Sequence, residues 1–98
     1  MNTDRRLMPR YGVALPIVVA GMTGTTREMG VTGVSFVAPQ ALPPEEAITF
    51  SITLSGERYG LIAECRGTVK RVTPMKDGQF EIVATIDALD LRPSARLP

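Results

Sequence analysis

Alternation of apolar and polar side chains along the chain predicts six short β-strands. In residues 46–54, Ile48, Phe50 and Ile52 fall on one face, and Thr49 falls on the other. A period of two residues is typical of a strand with one buried and one solvated face. The same criterion predicts strands over residues 11–22, 25–31, 33–38, 46–54, 59–72 and 80–87.

Glycine and proline residues separate the predicted strands and indicate the fold class. Turns are expected at residues 21–24 and 39–44, and at Asp77-Gly78, because Asp-Gly supplies the positive φ angles of a hairpin turn. No segment has the period of an amphipathic helix. Six short strands separated by turns predict an all-β fold, a small six-stranded antiparallel β-barrel with little or no helix. Closure of the barrel would remove exposed strand edges.

The chain divides into three predicted parts. Residues 1–10 are polar and rich in arginine, so we expect a mobile N-terminal arm. Residues 11–90 are expected to form the barrel. Residues 91–98 are too short and too rich in proline for a substantial helix, so they are predicted to be a C-terminal tail.

Composition excludes several classes of function. The chain has 98 residues, no histidine, no tryptophan and one cysteine, Cys65. It therefore lacks the residues for histidine acid–base chemistry, a Cys/His zinc site or an internal disulfide, and we expect neither an enzyme nor a cofactor. A net charge of +1 argues against DNA or RNA as a partner.

The alternation places four further side chains on inward positions: Phe36, Phe50, Phe80 and Cys65. They are predicted to be core residues, and the phenylalanines are therefore not expected to form a base-stacking platform.

Neither a membrane span nor a secretion signal is expected. The chain has no apolar run of about 18 residues, the length that a spanning helix needs. Arg5-Arg6 followed by the apolar residues 13–20 has the outline of a signal peptide, but Pro16 interrupts this short run and a first β-strand is the preferred interpretation. The lone thiol fits a reducing compartment. We therefore expect a cytoplasmic protein without membrane insertion.

Three arginines precede the first predicted strand: Arg5, Arg6 and Arg10. Arg6 and Arg10 are the first and last residues of the segment Arg6-Leu7-Met8-Pro9-Arg10. The planar guanidinium group matches phosphate oxygens and the O6/N7 edge of guanine, and it can stack on a base. This cluster is a candidate clamp for a small anionic nucleotide. A solubilising tail is the alternative interpretation, since charged segments are usually solvated.

A turn with two glycines is predicted between the second and third strands, in Glu28-Met29-Gly30-Val31-Thr32-Gly33. Glycine permits positive φ angles and close approach of the backbone to a ligand. A plain β-turn without any ligand is the alternative interpretation.

Together, the arginine cluster and the glycine turn resemble the PilZ domain family. Its members are small six-stranded β-barrels that bind the bacterial second messenger cyclic di-GMP. The family pattern is R-x-x-x-R before the first strand, followed further along by D/N-x-S-x-x-G. Residues 6–10 match the first pattern, and residues 28–33 lie where the second is expected. The resemblance extends over residues 5–90.

The resemblance implies a receptor module that couples binding of cyclic di-GMP to an unidentified protein partner. The implied ligand-binding residues are Arg5, Arg6, Arg10, Glu28, Gly30 and Gly33. Glu28 replaces the family's Asp or Asn, and Gly30 replaces its Ser, so one side chain is longer and one hydroxyl is lost. Each hydrogen bond to a charged group is worth about 1.5–3 kcal/mol. The alternative is therefore a degenerate PilZ barrel that does not bind cyclic di-GMP and acts as a protein-interaction adaptor.

Overall fold

A computed structural model of the chain describes residues 11–54 and 60–93, which form β-strands joined by turns, with no helix among them. The strands are β1 (Tyr11–Gly12), β2 (Pro16–Val19), β3 (Met22–Met29), β4 (Gly33–Ala38), β5 (Ala47–Leu54), β6 (Leu61–Pro74), β7 (Phe80–Thr85) and β8 (Ala88–Pro93). The predicted all-β class is confirmed. The predicted N-terminal arm, with Arg5, Arg6 and Arg10, lies outside the described residues.

Six of the strands close into an antiparallel barrel. They are neighbours in the order β3, β2, β5, β6, β7 and β4, and β4 pairs with β3 to complete the ring. The remaining two strands extend this ring, because β1 pairs with β3 and β8 pairs with β6. The predicted six-stranded antiparallel barrel is confirmed.

Apolar side chains on the inner face fill the barrel. The fully buried set includes Ile17, Val19, Phe36, Ala38, Ile52, Ala63, Val69 and Ile82. Phe50 and Cys65 are buried as the alternation predicts, and Phe80 is half-buried against the same core. Leu61, which the alternation also places inside, is 40% exposed. It is the first residue of β6 and pairs with the terminal residues Leu54 of β5 and Pro93 of β8, so it lies at the end of the sheet.

The single strand predicted over residues 11–22 is two strands, β1 and β2. The chain between them is held by the buried Thr26 of β3. The Leu15 N–H donates to the Thr26 hydroxyl at 2.9 Å, and that hydroxyl donates to the Val13 carbonyl oxygen at 2.5 Å. The turn between β2 and β3 lies at Ala20 and Gly21, both with positive φ, so β3 begins earlier than predicted.

A further strand, β8, lies at residues 88–93, where the alternation analysis placed none. It continues the line of β7 along the 14-residue strand β6. The break between β7 and β8 faces Gly67, where a Cβ would overlap the Thr85 carbonyl oxygen. The Asp87 N–H donates to the Arg66 carbonyl oxygen at 2.7 Å and connects the two segments. The sheet therefore extends beyond the ring.

Candidate functional site

A groove of about 390 Å³ crosses the outer face of four adjacent strands, β3, β4, β7 and β6. Small-molecule sites begin at about 300 Å³, so the volume suits a small ligand. The groove is lined by Arg27, Glu28, Gly30, Thr32, Gly33, Val34, Ser35, Arg71, Glu81 and Val83. All three described residues of the predicted site therefore lie along one groove: Glu28, Gly30 and Gly33.

Strand register places four lining residues in a single row across the groove. Glu28 is opposite Ser35, Ser35 is opposite Val83, and Val83 is opposite Arg71. Neighbouring strands are about 4.8 Å apart, so three spacings separate the ends of the row by about 14 Å along the sheet. The short side chains of Ser35 and Val83 form the floor, and an acidic and a basic side chain stand at the two ends.

Two β-bulges expose the charged residues at these ends. The register of β3 shifts at Arg27, and that of β6 shifts at Lys70. A bulge sets two residues opposite one and changes where the following side chains point. As a result, Arg27 and Glu28 are both exposed, and so are Lys70 and Arg71. Uninterrupted alternation after the buried Val69 would have turned Arg71 into the barrel.

Electrostatically, the groove combines two arginines with two carboxylates. The Arg27 Nη1 atom lies 3.8 Å from Oε2 of Glu81, with side-chain exposures of 51% and 32%. An exposed ion pair at this distance contributes little to stability, so it does not prevent Arg27 from contacting a ligand. Within residues 11–54 and 60–93, Arg71 forms no ion pair. Its guanidinium donors are therefore available to an anionic ligand.

Arg71 was missed by the sequence analysis, although the sequence carries a signal for it. Lys70 and Arg71 are consecutive charged residues in a strand that otherwise alternates. Two charges in succession cannot both face solvent in a regular strand, so the pair indicates a bulge. The position of Arg71 beside the groove depends on its pairing with β7, which this local signal does not reveal.

The turn between β3 and β4 closes one end of the groove. The Gly30 N–H donates to the Gly33 carbonyl oxygen at 2.9 Å, which leaves a two-residue hairpin loop. Neither Gly30 nor Gly33 has a positive φ, so the expectation that this turn uses the positive φ angles open to glycine is wrong. At Gly33 the absence of a side chain instead permits close strand packing, because a Cβ would lie 3.3 Å from the Ala84 carbonyl oxygen of β7.

Strand β1 brings the N-terminal part of the chain to this groove. Tyr11 pairs with Met29, and Gly12 pairs with Glu28. The R-x-x-x-R segment immediately precedes Tyr11 in the sequence. The chain therefore joins the barrel directly beside Glu28, at the acidic end of the row.

Other chemistry on the described residues is limited. They contain no group of three His, Cys, Asp or Glu side chains placed to hold a metal ion, and no helix that could cross a membrane. Burial, together with the neighbouring Glu64 carboxylate, raises the pKa of the Cys65 thiol to about 11. The thiol is therefore protonated at neutral pH and is a poor nucleophile.

Comparison with known proteins supports the fold. No protein-family profile and no curated protein sequence matches the chain. The structure is similar to that of the inhibitor of motility MotI/DgrA from Bacillus subtilis, with a TM-score of 0.78 and 14% sequence identity over 92% of this chain. The chain spans 46% of the length of that protein. At this identity the likeness shows the fold alone, a closed antiparallel β-barrel.

Proposed function

We propose that this PilZ-like barrel is a non-catalytic receptor that binds cyclic di-GMP in the groove across β3, β4, β7 and β6. The observation that carries the proposal is the convergence of Glu28, Gly30 and Gly33 on a groove that also holds Arg27 and Arg71. Strand β1, which directly follows the arginine-bearing segment in the sequence, pairs with β3 beside this groove.

The chemistry of cyclic di-GMP fits this set of side chains. The ligand has two phosphates and two guanine bases, so it needs cationic donors for the phosphates and hydrogen-bonding partners for the guanine edges. Arg6 and Arg10 supply forks of donors for phosphate oxygens or for O6 and N7. The Glu28 carboxylate accepts from the N–H groups on the opposite edge of guanine. Arg71 supplies a further guanidinium at the far end of the row.

Binding would be coupled to a protein partner through the arginine-bearing segment. Contacts between Arg6, Arg10 and a ligand held against the barrel favour one arrangement of residues 1–10 over others. A ligand can shift a conformational equilibrium only through such differential contacts. The ordered segment would then present a new surface to a partner protein in the cytoplasm.

An adaptor that binds no nucleotide is the second candidate function. It is favoured by Glu28 and Gly30, which stand where the PilZ pattern has Asp or Asn and Ser. In this role the longer Glu28 side chain would leave its carboxylate displaced from the guanine edge, and Gly30 offers no hydroxyl. In this role the arginine cluster would contact an acidic surface of a partner protein.

Arginine variants test the receptor proposal and the position of its site. We expect Arg10→Ala and Arg71→Ala each to weaken cyclic di-GMP binding by about tenfold, since each removes one charge-assisted contact. Arg66→Ala is the matched control, because Arg66 is an exposed arginine of β6 that does not line the groove. Affinities are measured by fluorescence or calorimetric titration. Equal affinity of wild type, Arg10→Ala and Arg71→Ala would contradict the assignment of the site.

A further inference from the structure

Strand β8 lies outside the closed ring, and one of its edges, called the open edge below, has no partner among the described strands. Among the strands of residues 11–54 and 60–93 it pairs only with β6. Its other edge therefore offers backbone N–H and C=O groups to a further strand. Open edges of this kind are the usual sites at which a sheet accepts a strand from another chain.

One face of β8 is apolar and poorly covered. Leu89 is opposite Cys65, and Leu91 is opposite Ala63, so both leucines lie on the face that continues the barrel core. Cys65 and Ala63 are buried, but Leu89 is 44% exposed and Leu91 is 54% exposed. Leu61, at the same end of β6, is 40% exposed. The apolar face therefore ends at the open edge, where another strand would continue it.

The opposite face of β8 carries charges of both signs. Asp90 and Arg92 are exposed and lie two residues apart, on either side of Leu91. An antiparallel copy of such a strand reverses their order. Each carboxylate can then face a guanidinium across the interface, so β8 is complementary to itself.

We propose that β8 is a homodimer interface, in which two copies pair antiparallel through this strand about a twofold axis centred on Leu91. In this register Leu91 faces Leu91 of the second copy, and Leu89 faces Pro93 of the second copy. On the other face Asp90 is opposite Arg92 of the second copy, and this pair occurs twice because the interface is isologous. The two sheets become continuous.

The competing registers are disfavoured by charge and by polarity. A shift by one residue sets leucines opposite charged side chains and places the apolar set on the wrong face. A shift by two residues centres the pairing on Asp90 or on Arg92, so that two identical charges face each other directly. The second copy is therefore favoured as the occupant of this edge, because the charge pattern of β8 selects one register with itself.

Charge reversal tests both the interface and its register. We expect the wild-type chain to pass from monomer to dimer in sedimentation experiments between low micromolar and millimolar concentration. Asp90→Arg or Arg92→Asp converts both attractive pairs into repulsive ones, so each variant should raise the dimer dissociation constant at least about tenfold. An equimolar mixture of the two variants restores both attractive pairs, as does the double variant D90R/R92D, and both should dimerise like wild type.

Lys76→Asp is the matched control, since it reverses an exposed charge in the turn before β7 and should leave dimerisation unchanged. Circular dichroism establishes that each variant retains the barrel. If a reversal prevents folding, the neutral variants Asp90→Asn and Arg92→Gln replace it and should each weaken the dimer. A monomeric wild type at millimolar concentration overturns the proposal. Dimerisation that is insensitive to the single reversals, or is not restored by mixing the variants, overturns it as well.

Discussion

Thr26 shows how one buried hydroxyl determines the path of the chain into the barrel. Its side chain accepts from the Leu15 N–H and donates to the Val13 carbonyl oxygen, in the segment where β1 and β2 are interrupted. The Thr26 N–H donates to the Leu15 carbonyl oxygen at 2.9 Å. The hydroxyl thus supplies the hydrogen bonds that a neighbouring strand would otherwise make to Val13 and Leu15. It thereby fixes the segment that connects β1, beside the groove, to β2.

Replacing Thr26 with valine should destabilise the protein. Valine has a similar shape but leaves the Leu15 N–H and the Val13 carbonyl without these partners, so we expect the free energy of unfolding to fall by about 1–3 kcal/mol. Urea denaturation measures the change. Thr25→Val is the control, because Thr25 is exposed on the same strand and its replacement should change stability by less than about 0.5 kcal/mol. Equal stability of the two variants would show that the Thr26 hydroxyl is not structural.

Cys65 should be unreactive in the folded barrel. Because the pKa rises from 9.0 to about 11, the thiolate fraction at pH 8 is lower by about a hundredfold than in an unfolded chain. A disulfide reagent should therefore label Cys65 at least that much more slowly in buffer than in concentrated urea. Rapid labelling of the native protein would contradict the burial of this side chain.

The same pKa shift predicts a dependence of stability on pH. A thiol whose pKa is raised on folding favours the folded state below pH 9, and this contribution decreases as pH rises from 9.0 towards about 11. Comparing wild type with Cys65→Ala by denaturant unfolding isolates the contribution of the thiol from that of other titrating groups. We expect wild type to lose more stability than Cys65→Ala between pH 9 and 11, and parallel losses would contradict the shift.

At the scale of elements, β6 determines much of the architecture. It pairs with β5 on one side, and on the other side it pairs first with β8 and then with β7. Gly67 lies between the part of β6 that pairs with β8 and the part that pairs with β7. Beside it, the Thr68 N–H donates to the Thr85 hydroxyl at 2.9 Å. The close contact between β6 and the end of β7 requires a residue without a side chain.

Gly67→Ala should therefore strongly destabilise the barrel. The added methyl group would overlap the Thr85 carbonyl oxygen, which is backbone and cannot rotate away, so we expect a loss of about 2–3 kcal/mol or more. Gly12→Ala provides the comparison, since a Cβ there would make an ordinary 3.8 Å contact with the Arg27 carbonyl oxygen. Thermal or urea unfolding of both variants measures the difference. A Gly67→Ala variant as stable as Gly12→Ala would refute the close contact.

Sequence alternation predicted most of the strands because residues buried on one face leave a period of two. It identified Val34, Phe36 and Ala38 as one face of β4, and all three are buried. The consecutive charges at Lys70 and Arg71 indicate a bulge, but the residues that lie opposite it depend on the pairing of two strands, which alternation does not give. The strand β8 has visible alternation in Leu89-Asp90-Leu91-Arg92, but the neighbouring prolines favoured a tail.

For the candidate site, the sequence identified the part that is local. Glu28, Gly30 and Gly33 are close along the chain, and a family pattern could group them. Arg71 and Glu81 join them only through the pairing of β4 with β7 and of β7 with β6. Such residues, distant in sequence, require the register of the barrel before they can be assigned to a groove.

At the scale of the whole molecule, ring closure brings strands from both halves of the chain to one outer face. The groove is formed by β3 and β4 from the first half, and by β6 and β7 from the second. The open edge of β8 contributes no lining residue to this groove. A ligand in the groove and a second copy at β8 would therefore use different surfaces of the same barrel.

We propose that the groove and the N-terminal arginines bind cyclic di-GMP. The most direct test is calorimetric titration of cyclic di-GMP into the purified chain, with GTP as the control ligand. We expect saturable binding that is absent with GTP and lost in the Arg6→Ala/Arg10→Ala double variant, while circular dichroism shows an intact barrel. No heat of binding up to high micromolar ligand, with the wild-type barrel folded, would contradict the receptor function and favour the adaptor that binds no nucleotide.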